Sequence, residues 1–294
     1  MGIAETLSST LEALVQQRRD LEKEGELELR VGQLKEDGSR FIPGVTAETF
    51  AQLAMEMEVT PALCADKEWR QVVDYHYVLP TGEHVRTRVE CDTQGFSLHT
   101  SHLVKESVCS VVLKEEREVG KEHTEGEGPL PSQRVACRLD CSREHLLVTP
   151  PTSCLPTHVR LKHRRQFRDR RGDGTVWLYE LSRTWSGPTR VAVDHLQRTK
   201  PPVYEVECEL LDEHSQYLTS HDNAYIVQSF LLKTQMLMDT EMPMTLQPSL
   251  TLFRHKRAPR SGKRQKLTSM QPEGPQSRPR ADSLAPPDAG GGRG

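Results

Sequence analysis

The feature that most constrains this chain is a set of strand-like segments whose polar face carries charge instead of the usual mixture of Ser, Thr, Lys and Gln. Neighbouring side chains on a strand point to opposite faces. In 204–210, Glu205, Glu207 and Glu209 oppose Val206, Cys208 and Leu210. In 26–30, Glu26, Glu28 and Arg30 oppose Leu27 and Leu29. His84, Arg86, Arg88 and Glu90 oppose Val85, Thr87 and Val89, and Arg138, Asp140, Ser142 and Glu144 oppose Leu139 and Cys141. Lys162, Arg164 and Gln166 oppose Leu161 and Phe167, with His163 and Arg165 between, and Glu180, Ser182 and Thr184 oppose Tyr179 and Leu181. Carboxylates two residues apart stand about 7 Å from one another. They repel unless a cation or basic neighbours lie between them. A sheet with one solvated face accounts for any one of these strands. A closed barrel with the charged face inward accounts for the set: carboxylates hold metal, and Arg and Lys balance the remainder and grip phosphate. The apolar face then points outward and needs helices to cover it.

The rest of the chain supplies them. Helical spacing runs over 5–22, with Leu7, Leu11, Leu14 and Val15 on one stripe. Phe41 to Gly44 reads as a turn, and Thr46 as the cap of a second helix with Phe50, Leu53 and Met57 on its stripe. A third helix is expected from Asp222 to Met238, with Ile226, Phe230 and Leu237 inward. Between them, strands are expected near 71–79, 84–91, 96–104, 107–113, 134–142, 158–167, 176–186 and 203–211. Turn signals separate several, among them Pro80-Thr81-Gly82, Thr93-Gln94-Gly95 and Gly172-Asp173-Gly174. Lys114 to Gln133 reads as a charged surface loop. Trp177 and Trp185 face away from Glu180 and are expected to pack under helices.

Charge is placed unevenly. From Arg254 onward there are ten Lys/Arg against three Asp/Glu, which leaves residues 1–253 at −10 in a chain of net −3. The domain reading is therefore a folded body over 1–253 and a basic Pro/Gly/Ser-rich tail over 254–294 that cannot bury a core and is expected to be disordered. No leader and no membrane span is read from the sequence, which points to an intracellular protein. The seven cysteines show no C-x-x-C and an odd count, so they are expected to be reduced, half-buried strand residues.

At Glu26-Leu27-Glu28-Leu29-Arg30, Leu161-Lys162-His163-Arg164 and Tyr204-Glu205-Val206-Glu207-Cys208-Glu209-Leu210 the chain resembles the metal-dependent RNA triphosphatases of fungi, protists and large DNA viruses. The order of the three motifs also fits, and the likeness spans roughly residues 5 to 240. It implies an α+β fold: a closed antiparallel eight-stranded β-tunnel with a polar lumen and helices packed outside. It implies removal of the γ-phosphate from the 5′-triphosphate end of nascent mRNA, the first step of capping, in the nucleus. A guanylyltransferase would act next. By the same resemblance Glu26, Glu28 and Glu209 look like direct ligands of Mg2+ or Mn2+, Glu207 like a partner of metal-bound water, and Glu205 like a lumen charge paired with a base. Lys162 and Arg164 look like the γ-phosphate clamp. Arg86 or Arg88 adds a phosphate contact, and Lys105 extends the basic wall. Glu144 looks like the carboxylate that orients water, helped by Glu180, and Ser182 lines the substrate path. Leu178 departs from the family pattern, which has Arg there.

Chemistry agrees with this assignment on one point independently: an all-carboxylate site suits hard Mg2+ or Mn2+ and not zinc. Two rivals stand beside it. One is a tunnel hydrolase of inorganic or small organic triphosphates. The other is a non-catalytic module that binds polyphosphate or RNA ends.

Overall fold

The computed structural model describes residues 3–66, 68–92, 95–115, 134–149, 151, 154–171, 174–212, 216–238, 244–246 and 252–253. Helix α1 (Ile3–Asp20) leads into β1 (Gly25–Leu34). Then come β2 (Phe41–Pro43), α2 (Ala47–Val59), β3 (Leu63–Ala65), β4 (Arg70–Val78) and β5 (His84–Cys91). The longest strands follow: β6 (Ser97–Glu115), β7 (Arg134–Leu147), β8 (His158–Arg171) and β9 (Gly174–Gly187). The described chain ends with α3 (Arg190–Thr199), β10 (Val203–Leu210), α4 (Gln216–Ser220), α5 (Asn223–Met238), β11 (Met244–Leu246) and β12 (Leu252–Phe253).

Eight strands close on themselves in the order β1-β10-β9-β8-β4-β5-β6-β7 and back to β1, every pairing antiparallel. Closure leaves these strands no free edge. The expected segments 96–104 and 107–113 are one strand, β6. A bulge between Ser107 and Cys109 breaks the alternation there, which is why the sequence reads as two pieces.

The outward apolar face is covered as the alternation requires. Leu27, Leu29, Leu139, Leu181, Val206 and Leu210 form one core with Leu11, Leu14 and Val15 of α1, Phe50, Leu53 and Met57 of α2, and Ile226, Phe230 and Leu237 of α5. Trp177 is fully buried there, edge-on to Phe230 with ring centroids 4.7 Å apart. Trp185 packs edge-on to His163, and its indole N–H donates to the Lys200 carbonyl at 3.0 Å. Thr46 caps α2, its Oγ1 accepting from the Thr49 amide at 3.2 Å. Cys109, Cys137, Cys141 and Cys208 are buried in the core that the helices seal, Cys91 is buried as well, and Cys64 is exposed; all seven are free thiols.

Several local expectations change. Phe41–Pro43 is a short strand paired to the end of β1, and the chain reverses earlier, at Gly38, which takes a positive φ. Helix α3, unread in the sequence, fully buries only Val193, against Val73, Val159 and Leu161, and its apolar stripe, Val193 and Leu196, spans about one turn. Lys114 and Glu115 continue β6, while the rest of the expected loop and the basic tail lie outside the described residues. No helix among the described residues is long and apolar enough to cross a membrane.

Candidate active site

Register fixes what meets inside the barrel. On the β1–β10 seam Glu28 stands opposite Glu209, and Arg30 opposite Glu207. On the β1–β7 seam Glu26 stands opposite Ser142, and Glu28 opposite Asp140. Four predicted site residues, Glu26, Glu28, Glu144 and Lys105, converge. The Lys105 ammonium contacts Glu26, lies 2.9 Å from Glu144 Oε1 and 3.6 Å from Glu28 Oε2. Ser142 Oγ donates to Glu26 at 2.9 Å. Burial pushes the Glu26 and Glu28 carboxyls above the usual range, with Lys105 opposing the shift at both and Arg30 opposing it more strongly at Glu28. Glu209 is held well above that range, by burial first and then by the charges of Glu26 and Glu28. Burial also disfavours the Glu144 carboxylate, but Lys105, a hydrogen bond with Glu26 and the charge of Arg86 together outweigh it and keep Glu144 below the usual range.

A second cluster surrounds Lys162, which lies 3.4 Å from Glu180, 3.6 Å from Glu205 and 3.6 Å from Glu207. Arg164 joins it, contacting Glu90 and lying 3.3 Å from Glu180 Oε2. Ser182 Oγ and Gln166 Nε2 both donate to Glu180, at 3.0 Å each. Glu205 accepts from Arg160 and, at 2.8 Å, from Thr184. Glu207 faces Lys162 and Arg30. These outweigh its burial and hold it well below the usual carboxylate range.

The predicted residues therefore fall into two groups. Glu26, Glu28, Glu144 and Glu209 gather around Lys105. Lys162, Arg164, Glu180, Ser182 and Glu207 form the other. Lys105 stands inside the acidic group and so serves as its counter-charge. Arg86 lies 3.6 Å from Glu144 and lines the open cavity, whereas Arg88 is committed to a bidentate pair with buried Asp74, at 2.9 and 3.3 Å. Leu178 sits on the lumen face opposite Glu209, and Arg168 stands across from it on β8.

Sequence reading assigned no role to Asp74, Arg160 or His76. Arg160 was recoverable: it precedes Lys162 by two residues on the same face. Asp74 and His76 lie in Val72-Val73-Asp74-Tyr75-His76-Tyr77, whose apolar and aromatic neighbours on both faces hide the alternation. Burial disfavours the Asp74 carboxylate, but Arg88 outweighs it and holds the group far below its ordinary value. A depressed carboxyl stabilises the fold above its unfolded pKa, about 3.9, and the contribution is lost as pH falls below that. Asp74→Asn is expected to cost about 3–5 kcal/mol at neutral pH, the scale of leaving a buried partner unpaired. Thermal melts from neutral to acid pH check it: the gap between wild type and variant should close as pH falls. A constant gap would mean that Asp74 acts by packing alone.

A metal site is tested by the same donors. Among the described residues no three His, Cys, Asp or Glu form a preformed cage. The carboxylates whose ionisation is resisted are nevertheless gathered at one place, around an ammonium. Such a donor set fits a hard divalent cation, which would relieve the repulsion at Glu209.

No protein-family model and no curated protein matches the chain. Solved structures do. The RNA triphosphatase Pct1 of S. pombe aligns with TM-score 0.51 at 16% identity, over 80% of this chain and 91% of that one. The mimivirus capping enzyme triphosphatase aligns with TM-score 0.48 at 13% identity, over 80% of this chain and 98% of that one. At such identity the first likeness speaks to architecture, and the second adds no weight. The chain therefore has the fold of the tunnel RNA triphosphatases.

Proposed function

We propose that this protein hydrolyses the β–γ phosphoanhydride bond at the 5′-triphosphate end of RNA, giving a 5′-diphosphate end and phosphate. The observation that carries the reading is the pairing, inside one closed barrel, of a carboxylate cluster at Glu26, Glu28 and Glu209 with a buried Lys162–Arg164 cluster. Phosphoryl transfer needs charge neutralisation and a positioned water more than it needs covalent chemistry. Lys162 and Arg164 bind γ-phosphate oxygens, exchanging carboxylate partners for phosphate, and Arg86 closes on the same group from β5. Glu144, kept ionised beside Lys105, accepts a hydrogen bond from the attacking water and orients it, with Glu180 and Ser182 steadying the clamp. Glu26, Glu28 and Glu209, with Glu207 nearby, would hold Mg2+ or Mn2+, which would supply Lewis acidity toward a phosphoryl oxygen. The product end is the substrate class of a guanylyltransferase, which makes such an enzyme the expected partner and the nucleus the expected site.

The test is phosphate release from triphosphate-ended RNA, ATP and inorganic triphosphate, with Mg2+, with Mn2+ and with chelator. Release from RNA that needs the divalent cation supports the reading. Preference for the small substrates would favour the small-triphosphate hydrolase. Tight RNA-end binding without release would favour the non-catalytic module.

A further inference from the structure

Lys162 and Arg164 share one carboxylate, Glu180, and binding phosphate draws both of them away from it. Burial disfavours the Glu180 charge. Lys162, then Arg164 and Arg88, outweigh burial and the repulsion of Glu207 and hold the group below the usual carboxylate range. When Lys162 and Arg164 turn to phosphate, much of that compensation leaves with them. Two neutral donors stay on Glu180, Ser182 Oγ and Gln166 Nε2, each at 3.0 Å.

The Gln166 amide is itself held. It is buried on the lumen face of β8, and its Oε1 accepts from Arg168 Nη2 at 3.2 Å. Arg168 Nη1 in turn donates to Asp66 Oδ1 at 3.2 Å. Asp66 directly follows β3, and its backbone N–H donates to the Gln166 carbonyl at 2.8 Å. Strand β3 pairs with β8 over Phe167–Asp169, beyond Arg164, where the pairing of β4 with β8 ends. The strap from Leu63 to Asp66 therefore anchors the far end of this chain of bonds. A guanidinium only donates and a carboxylate only accepts. An amide between the two has one orientation, oxygen toward Arg168 and nitrogen toward Glu180. Leu178, across from Arg168 on β9, offers no competing polar side chain.

We propose that Gln166 and Arg168 are positioning residues for the phosphate clamp: the relay Asp66–Arg168–Gln166–Glu180 holds the Glu180 carboxylate while Lys162 and Arg164 engage the γ-phosphate. The inference rests on the triphosphatase reading and deepens it, since it says what lets the two cations leave their carboxylate. The charge of Arg168 polarises the amide and strengthens the bond that Gln166 gives to Glu180. Without the relay Glu180 depends more on Lys162 and Arg164, and phosphate must compete harder for them. The loss therefore falls on binding more than on the chemical step.

The experiment titrates inorganic triphosphate calorimetrically into wild type, Arg168→Met, Gln166→Met and the double variant. KM and kcat on triphosphate-ended RNA are measured beside it. Each single variant should weaken triphosphate binding and raise KM by at least about 10-fold, the scale of one hydrogen bond to a charged group, with kcat changed less than KM. The double variant should be no worse than the worse single, because both substitutions break one relay. Arg168→Lys should recover part of the loss, since an ammonium still donates to the amide. Arg165→Met, one step along on the outer face, should leave binding unchanged. Additive losses in the double variant would mean that Arg168 meets phosphate directly, and would overturn the relay. Lower melting temperatures with unchanged triphosphate binding would also overturn it, because they mark a structural role alone. Should Gln166→Met fail to fold, the half-buried Arg168 carries the comparison through its Met and Lys variants. Triphosphate binding decides the relay even if wild type releases no phosphate from RNA, an outcome that would sink the triphosphatase reading alone.

Discussion

Glu209→Gln is expected to abolish phosphate release and at the same time raise the melting temperature of the metal-free protein. Glu209 faces Glu28 directly across the β1–β10 pair, with Glu26 two residues farther along the same face. Three carboxylates gathered in one wall repel one another, and Lys105 answers only part of that charge. An amide keeps the shape of Glu209 and removes its charge, so the fold gains. Relief of roughly 1 kcal/mol would raise Tm by about 2–4 °C in a body of this size. Activity runs the other way, because a neutral amide is a poor ligand for a hard cation. Removal of a group that stabilises transition-state charge costs at least about 10²-fold. Glu26→Gln and Glu28→Gln should lose activity likewise. Phosphate release, together with thermal melts in chelator, checks both halves. A Glu209→Gln enzyme with near wild-type turnover would remove the metal assignment.

Arg164→Ala is expected to lower catalytic efficiency by at least about 10²-fold, the scale of losing one charge-stabilising group, while Arg165→Ala stays within about a few-fold of wild type. The two side chains leave one strand in opposite directions. Arg164 is buried in the lumen against Glu90 and Glu180. Arg165 lies outside, its guanidinium on Glu58 and the Asp66 carbonyl. Arg164→Lys should recover only part of the loss, since an ammonium cannot make the two parallel contacts that a guanidinium offers phosphate. Equal damage at both positions, with both proteins folded by thermal melt, would contradict the inward orientation as the basis of function.

How far the sequence carried this can be traced strand by strand. Where a strand is apolar on one face and charged on the other, as at Glu26–Arg30, Lys162–Gln166 and Glu205–Glu209, alternation alone gave the facing that the barrel shows. The inversion was legible too, since helices with clear stripes existed to cover the outward Leu and Val. What alternation cannot show is partnership. Lys105 looked like one more base for substrate, but only the register of β6 against β7 brings it into the acidic group. Arg86 and Arg88 look equivalent in sequence. They separate because Asp74, two strands from β6 and hidden in an apolar run, claims Arg88. The bulge at Ser107 to Cys109 breaks the simple period that makes a strand readable, and the ten residues of α3 carry an apolar stripe of only Val193 and Leu196, too short to stand out.

The central claim is that the lumen cleaves between the β- and γ-phosphates of an RNA end. A triphosphate-ended RNA labelled on both its 5′ γ-phosphate and its 5′ α-phosphate tests this directly, with the purified protein and Mg2+ or Mn2+. The account predicts that the γ label appears as inorganic phosphate while the α label stays on RNA ending in a 5′-diphosphate. Release of pyrophosphate, loss of the α label from the RNA, or no release with either metal would contradict it.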